Sequence, residues 1–138
     1  MNNTTNVRPE DLNYHATAAQ YDFEIMAAIP HHGELHQSIR RFLQKLSSPQ
    51  TVLELGAGTG ITTQLVVEQF PSATLTLVDF DEPMLSRAKE KLGEGIRYVL
   101  EDYSQSIFPK YSFDLVISVI GTNVWPAGGQ EAACAAAA

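Results

Sequence analysis

The segment Val52-Leu53-Glu54-Leu55-Gly56-Ala57-Gly58-Thr59-Gly60 constrains this chain more than any other. An apolar run with strand character stops in three alternate glycines, and a helix-forming pattern follows. Glycine lacks a Cβ and takes turn dihedrals at little steric cost, so backbone there approaches a bound group closely. Nineteen residues beyond Gly60, a second strand-like run, Thr74-Leu75-Thr76-Leu77-Val78, ends in Asp79. An acid at the tip of the second strand is what a βαβ nucleoside site uses to hold ribose hydroxyls. Together the two signals point to a nucleoside cofactor.

The flanking pattern is consistent with that reading. Strands are expected at 51–55, 73–78, 96–100 and 113–119. Helices are expected at 16–29, 34–46 and 60–70, and from a cap at Asp81 or Glu82 to a stop at Gly93. In the first helix Ala18, Tyr21, Ile25, Met26 and Ile29 suit one face; in the second Leu35, Ile39, Phe42, Leu43 and Leu46 form the inward stripe. Pro30-His31-His32-Gly33 reads as the turn between them. Nearly continuous apolar strands alternating with helices imply a buried parallel sheet with right-handed crossovers.

Composition narrows the function classes. The 138 residues suit one domain with a real core. A net charge of −7 and a pI near 4.9 argue against a nucleic-acid partner, which needs a basic surface. Arg40-Arg41 with Lys45, and Arg87, Lys89 and Lys91, read as solvated helix faces. The longest apolar run, Leu115 to Ile120, is too short to span a bilayer, so no membrane partner is expected. The polar N-terminus has no secretory character, and the single Cys134 fits a reducing compartment; a cytoplasmic protein is expected. Residues 1–13 are expected to be disordered, 14–125 to form the domain, and 126–138 to be a low-complexity Ala/Gly tail. His15, His31, His32 and His36 raise the question of a metal, but adjacent His31 and His32 do not easily face one ion and no acid or cysteine is in register. No metal is expected, and no Ser-His-Asp or Cys-His constellation is recognisable.

The glycine spacing is G-x-G-x-G. A dinucleotide fingerprint would need glycine at position 61, where this chain has Ile61, which disfavours a dehydrogenase half-domain. With Glu54 two residues before the first glycine, the segment Val78-Asp79-Phe80-Asp81-Glu82-Pro83-Met84-Leu85, Asp102, and the run Phe113-Asp114-Leu115-Val116-Ile117-Ser118, the chain resembles the class I S-adenosylmethionine-dependent methyltransferases over roughly residues 14–120. The resemblance implies a Rossmann-like three-layer α/β sandwich with a parallel sheet of about four strands in the order 3-2-1-4. It implies S-adenosylmethionine as cofactor and S-adenosylhomocysteine as product.

It also implies roles for particular residues. Gly56, Ala57, Gly58 and Gly60 would pack backbone against the methionine and ribose portions, where a plain turn rarely needs three glycines. Asp79 would accept the ribose hydroxyls, the alternative being a solvated loop acid or a helix cap. Phe80 and Met84 would sandwich the adenine, although ordinary core packing explains Met84 equally well. Asp102 would accept from the adenine amino group and the Tyr103 amide would meet the ring. Glu54 sits in a buried strand, where an unpaired carboxylate is costly, so it should orient the glycine loop or a cofactor amine. Ser118 and Val119 would line the methyl-donor end, and Tyr14 and Tyr21 sit on a segment that in this family often closes over the cofactor. Methyl transfer from a sulfonium is an in-line displacement that needs mainly positioning, so no catalytic residue is assigned.

The family's later strands have no counterpart after Gly121-Thr122-Asn123-Val124-Trp125, so a chain truncated after strand four is expected. An apolar edge over 115–120 would then be free to pair with a second copy. The leading function is methyl transfer to a small-molecule acceptor. The rival is an S-adenosylmethionine-binding module without an acceptor site.

Overall fold

The computed structural model describes residues 18–109 and 112–119. Expectations for residues 1–13, Tyr14, the segment 121–125 and the 126–138 tail lie outside the described residues. Two helices, α1 (Ala18–Ala28) and α2 (His32–Leu43), precede the first strand, β1 (Thr51–Leu55). Then come α3 (Ile61–Gln69), β2 (Thr74–Asp79), α4 (Glu82–Leu92), β3 (Arg97–Leu100) and β4 (Leu115–Ile117).

The four strands of the described residues are parallel, in the order β3-β2-β1-β4. This is the Rossmann-like α/β arrangement and strand order expected from the sequence. β1 lies between β2 and β4, with Leu55 opposite Val78 and Glu54 opposite Ile117. The chain therefore steps outward from β1 to β3 and then returns to the other side of β1. That reversal opens a crevice at the carboxyl ends of β1 and β4, where sheets of this kind bind ligands.

Two apolar clusters hold the sheet. On one side Val52, Leu75 and Leu77 meet Leu43 of α2, Leu65 and Val66 of α3, and Leu85 and Ala88 of α4. On the other, Leu53, Leu55 and Val78 pack around Tyr103. The alternation of β1 and β2 side chains between these clusters is the two-residue period of a strand buried on both faces. α4 follows its expected pattern: Asp81 accepts from the Met84 amide at 3.0 Å, Pro83 sits in the first turn, and Gly93 closes the helix at φ 84°. Leu85 and Ala88 are buried and Leu92 is packed beside them, as expected.

Several boundaries differ from the expectation, those of α2 and β4 most. α2 starts two residues earlier, because His31 takes a left-handed turn (φ 59°) and its carbonyl accepts from the Leu35 amide at 2.9 Å. The inward face then runs His32, His36, Ile39 and Leu43, while Phe42 points outward with 58% of its surface exposed. On α1, Met26 is likewise exposed. β4 is three residues long rather than seven. Its start is fixed by Asp114, which accepts from the Gln50 and Thr51 amides at 2.8 and 3.0 Å. Its pairing ends with Ile117 opposite Glu54, one residue before β1 ends at Leu55 and turns into the glycine loop.

Candidate functional site

The carboxyl ends of the strands carry the glycine loop, Asp79, Asp102 and the pair Ser118 and Val119. Gly56, Gly58 and Gly60 all have left-handed backbone, at φ 67°, 55° and 81°. Side chains rarely adopt such angles, so alternate glycines are what let β1 reverse into α3 within five residues. The turn is tied back to the sheet by the Gly56 amide, which donates to the Val78 carbonyl at 2.9 Å.

Asp79 joins the loop to the next one. One carboxylate oxygen accepts from the Gly58 amide at 2.8 Å and the other from the Asp81 amide at 2.9 Å. Asp79 is buried and is neither a solvated loop acid nor the cap, a position Asp81 fills. Burial raises its pKa, and the backbone donors only partly offset that. A carboxylate offers about four lone-pair positions, so the Gly58 and Asp81 amides, with a further backbone contribution from Phe80, still leave acceptor capacity for a hydroxyl donor.

Glu54 lies on β1 with 3% of its surface exposed, and Thr63 of α3 donates its hydroxyl to it at 2.5 Å. Burial pushes the Glu54 carboxyl up to about 7, the Thr63 hydrogen bond opposes this, and the Asp79 charge adds to it. Asp102 is exposed, and one of its oxygens accepts from both the amide and the hydroxyl of Ser104 at 2.9 and 2.6 Å. The Tyr103 ring is buried in the second core cluster; burial first, then the Asp79 and Asp102 charges, push its phenol upward. Phe80 keeps 48% of its surface exposed whereas Met84 is buried, so the two present very different surfaces to a planar ring. Ser118 is exposed at the end of β4, and Val119 lines the crevice.

The crevice itself encloses a small cavity of about 50 Å³ lined by Glu54, Gly56, Ala57, Gly58 and Val119, with Tyr21, His32 and His36 as its far wall. As sequence, His32 reads as part of a turn and both histidines as candidate metal ligands, neither as a wall of the crevice. Among the described residues no three His, Cys, Asp or Glu side chains gather into a metal cluster. The signal that finds them is the α2 apolar period carried two turns toward the N-terminus, from Leu43 and Ile39 to His36 and His32. Also unforeseen is Asp22 of α1, which accepts a short hydrogen bond from the Thr59 hydroxyl and an ion pair from Lys91 at 2.7 Å. It fastens α1 across the glycine loop and α4.

A family model described as a methyltransferase domain matches residues 52–138, more than half of the chain. The chain belongs to the methyltransferase-domain family. A malonyl-[acyl-carrier protein] O-methyltransferase of Neorickettsia risticii is 44% identical over 70 residues, which cover 51% of this chain and 27% of that protein. The chain thus spans little more than a quarter of that curated relative's length. The plantazolicin methyltransferase BpumL, solved with S-adenosylhomocysteine, superimposes with a TM-score of 0.64 at 18% identity, covering 90% of this chain and 48% of BpumL. A TehB-like S-adenosylmethionine-dependent methyltransferase of Corynebacterium glutamicum gives a TM-score of 0.61 at 21% identity, covering 84% of this chain and 60% of that one. These two structures share the fold with this methyltransferase domain, which carries the class I Rossmann-like architecture.

Proposed function

We propose that this chain binds S-adenosylmethionine in the crevice at the carboxyl ends of β1 and β4 and presents its methyl group to a small-molecule acceptor. The observation that carries this reading is the junction of the left-handed glycine loop with Asp79 through the Gly58 amide. It brings bare backbone and a carboxylate with remaining acceptor capacity to one place, as the ribose of a nucleoside requires. Phe80 gives an exposed aromatic face beside that carboxylate for the adenine, and Asp102 an exposed acid for its amino group. Ser118 and Val119 border the methyl-donor end.

The chemistry asks little of side chains. Bound S-adenosylmethionine would supply an electrophilic methyl group on a sulfide leaving group; an oxygen acceptor's lone pair would take the methyl as the carbon–sulfur bond breaks, releasing S-adenosylhomocysteine, and a hydroxyl acceptor would give its proton to solvent. Holding donor and acceptor in line supplies much of the rate. Membership of the methyltransferase-domain family and the O-methyltransferase named among the relatives support transfer to an oxygen nucleophile.

Calorimetric titration with S-adenosylhomocysteine tests the shared premise. Wild type should bind in the micromolar range, and Asp79→Asn should weaken binding at least tenfold, about the loss of one charge-assisted hydrogen bond. No binding by wild type, or unchanged binding by the variant, would sink the reading. Transfer of a labelled methyl group to a panel of acceptors then separates an enzyme from a binding module.

A further inference from the structure

Among the described residues the sheet has two edges, β4 and β3. β4, the edge expected to meet a second copy, is three residues long and all three are half-buried. β3 presents more. Arg97 and Leu100 are exposed, Leu100 over 54% of its surface, and so is Glu101 just beyond the strand. Backbone groups point alternately to the two sides of a strand. The Glu101 amide donates to the Asp79 carbonyl at 2.9 Å, so Arg97 and Val99 also bond toward β2. The N–H and C=O groups of Tyr98 and Leu100 therefore face outward, with no strand beside them among the described residues. Their side chains share a groove with Leu85, Ser86 and Lys89 of α4, while Arg97, Val99 and Glu101 belong to the opposite face.

Proteins blunt such an edge with proline, a bulge or charges that repel a second copy. β3 has no proline, and its two charges are opposite in sign. Neither Arg97 nor Glu101 has an ion-pair partner among the described residues. We propose that β3 pairs antiparallel with β3 of a second copy, about a two-fold axis at Val99, joining two sheets into one. That axis sets Arg97 opposite the second copy's Glu101 and Tyr98 opposite its Leu100. Tyr98 and Leu100 are the residues whose backbone faces outward, so each facing pair exchanges two hydrogen bonds. Arg97 and Glu101 fall at non-hydrogen-bonded positions, where facing side chains come closest. An opposite-charge pair then lies at each end of one face, and an aromatic–aliphatic pair at each end of the other. Axes at Tyr98 or Leu100 satisfy the backbone equally but set one of the charges against Val99. Charge therefore selects the register. The pairing does not depend on what the crevice binds.

A seam this short makes a weak dimer, so the full chain is followed by sedimentation velocity from about 1 μM to about 500 μM. Wild type should pass from monomer to dimer across that range. Arg97→Glu and Glu101→Arg each bring like charges together at both ends and should weaken the dimer about tenfold. The double swap restores opposite charges and should recover it. A second measurement needs no variant. Hydrogen exchange at the Tyr98 and Leu100 amides should slow as wild type is concentrated, while Arg97 and Val99, already bonded to β2, keep their rates. A wild type monomeric at every concentration, or unchanged exchange at Tyr98 and Leu100, overturns the proposal. So does a dimer indifferent to the single swaps, the result expected of pairing through β4.

Discussion

Gly58 and Gly60 share a left-handed backbone but not the reason for being glycine. A Cβ on Gly58 would meet nothing within 4 Å, whereas one on Gly60 would lie 2.8 Å from Leu92 Cδ1 and 3.3 Å from Ala88 Cβ. Gly58 keeps a bare surface toward the crevice; Gly60 lets α4 close on the loop. Alanine at position 58 should therefore add only backbone strain, about 1 kcal/mol. Alanine at position 60 adds overpacking to the same strain and should destabilise by roughly 3 kcal/mol. Urea unfolding of the two variants measures the difference, and equal losses would mean that α4 yields freely. The periodicity of the glycines was plain in the sequence. That the third serves a helix 28 residues later required the packing of Ala88 against it.

At the level of elements, α1 is the most informative. Its expected face included Met26, yet Met26 is exposed and the contact that matters is polar. Asp22 reaches Thr59 and Lys91, so a single carboxylate joins α1, the glycine loop and α4. Both ends of the ion pair are partly exposed, and screening reduces its worth. Asp22→Asn should cost about 1 kcal/mol in global stability. It should raise amide hydrogen exchange in α1 well above the change in β1 and β2. Uniform exchange across the domain would show that α1 is held by something else. The inward stripe of α2 was half legible. Ile39 and Leu43 face inward as expected, but the place expected for Phe42 goes to the row through His36, on a helix that begins two residues earlier, at His32.

For the molecule as a whole, Glu54 makes folding stability depend on pH in the neutral range. Its carboxyl titrates near 7 when folded and at an ordinary 4.5 when the chain is unfolded. Between those values the folded protein holds a proton that the unfolded chain has released, so stability falls as pH rises. The contribution is full below pH 4.5 and is lost as pH climbs through 7, a few kcal/mol at about 1.4 kcal/mol per pKa unit. Glu54→Gln keeps an acceptor for Thr63 and removes the titration. The difference in unfolding free energy between variant and wild type should grow in the variant's favour from pH 5 to pH 7.5. A constant difference would mean that Glu54 stays ionised. His36 and Asp114, both held below their ordinary pKa, act in the opposite sense at more acid pH and cancel in this comparison.

The strand order is what the resemblance to the family implied; the sequence by itself determined the class of fold and the position of the glycine loop and Asp79 along the chain. These follow from local chemistry: apolar runs of strand length, helical spacing, alternate glycines and a cap at Asp81. Tertiary structure alone decided what faces what. Asp79 accepts amides from two loops, Glu54 meets Thr63, Asp22 fastens α1, and two histidines turn toward the crevice from a helix before β1. Each of these joins residues on different elements, many of them far apart in sequence. Periodicity says which face of a helix points inward, but only packing says what it meets there.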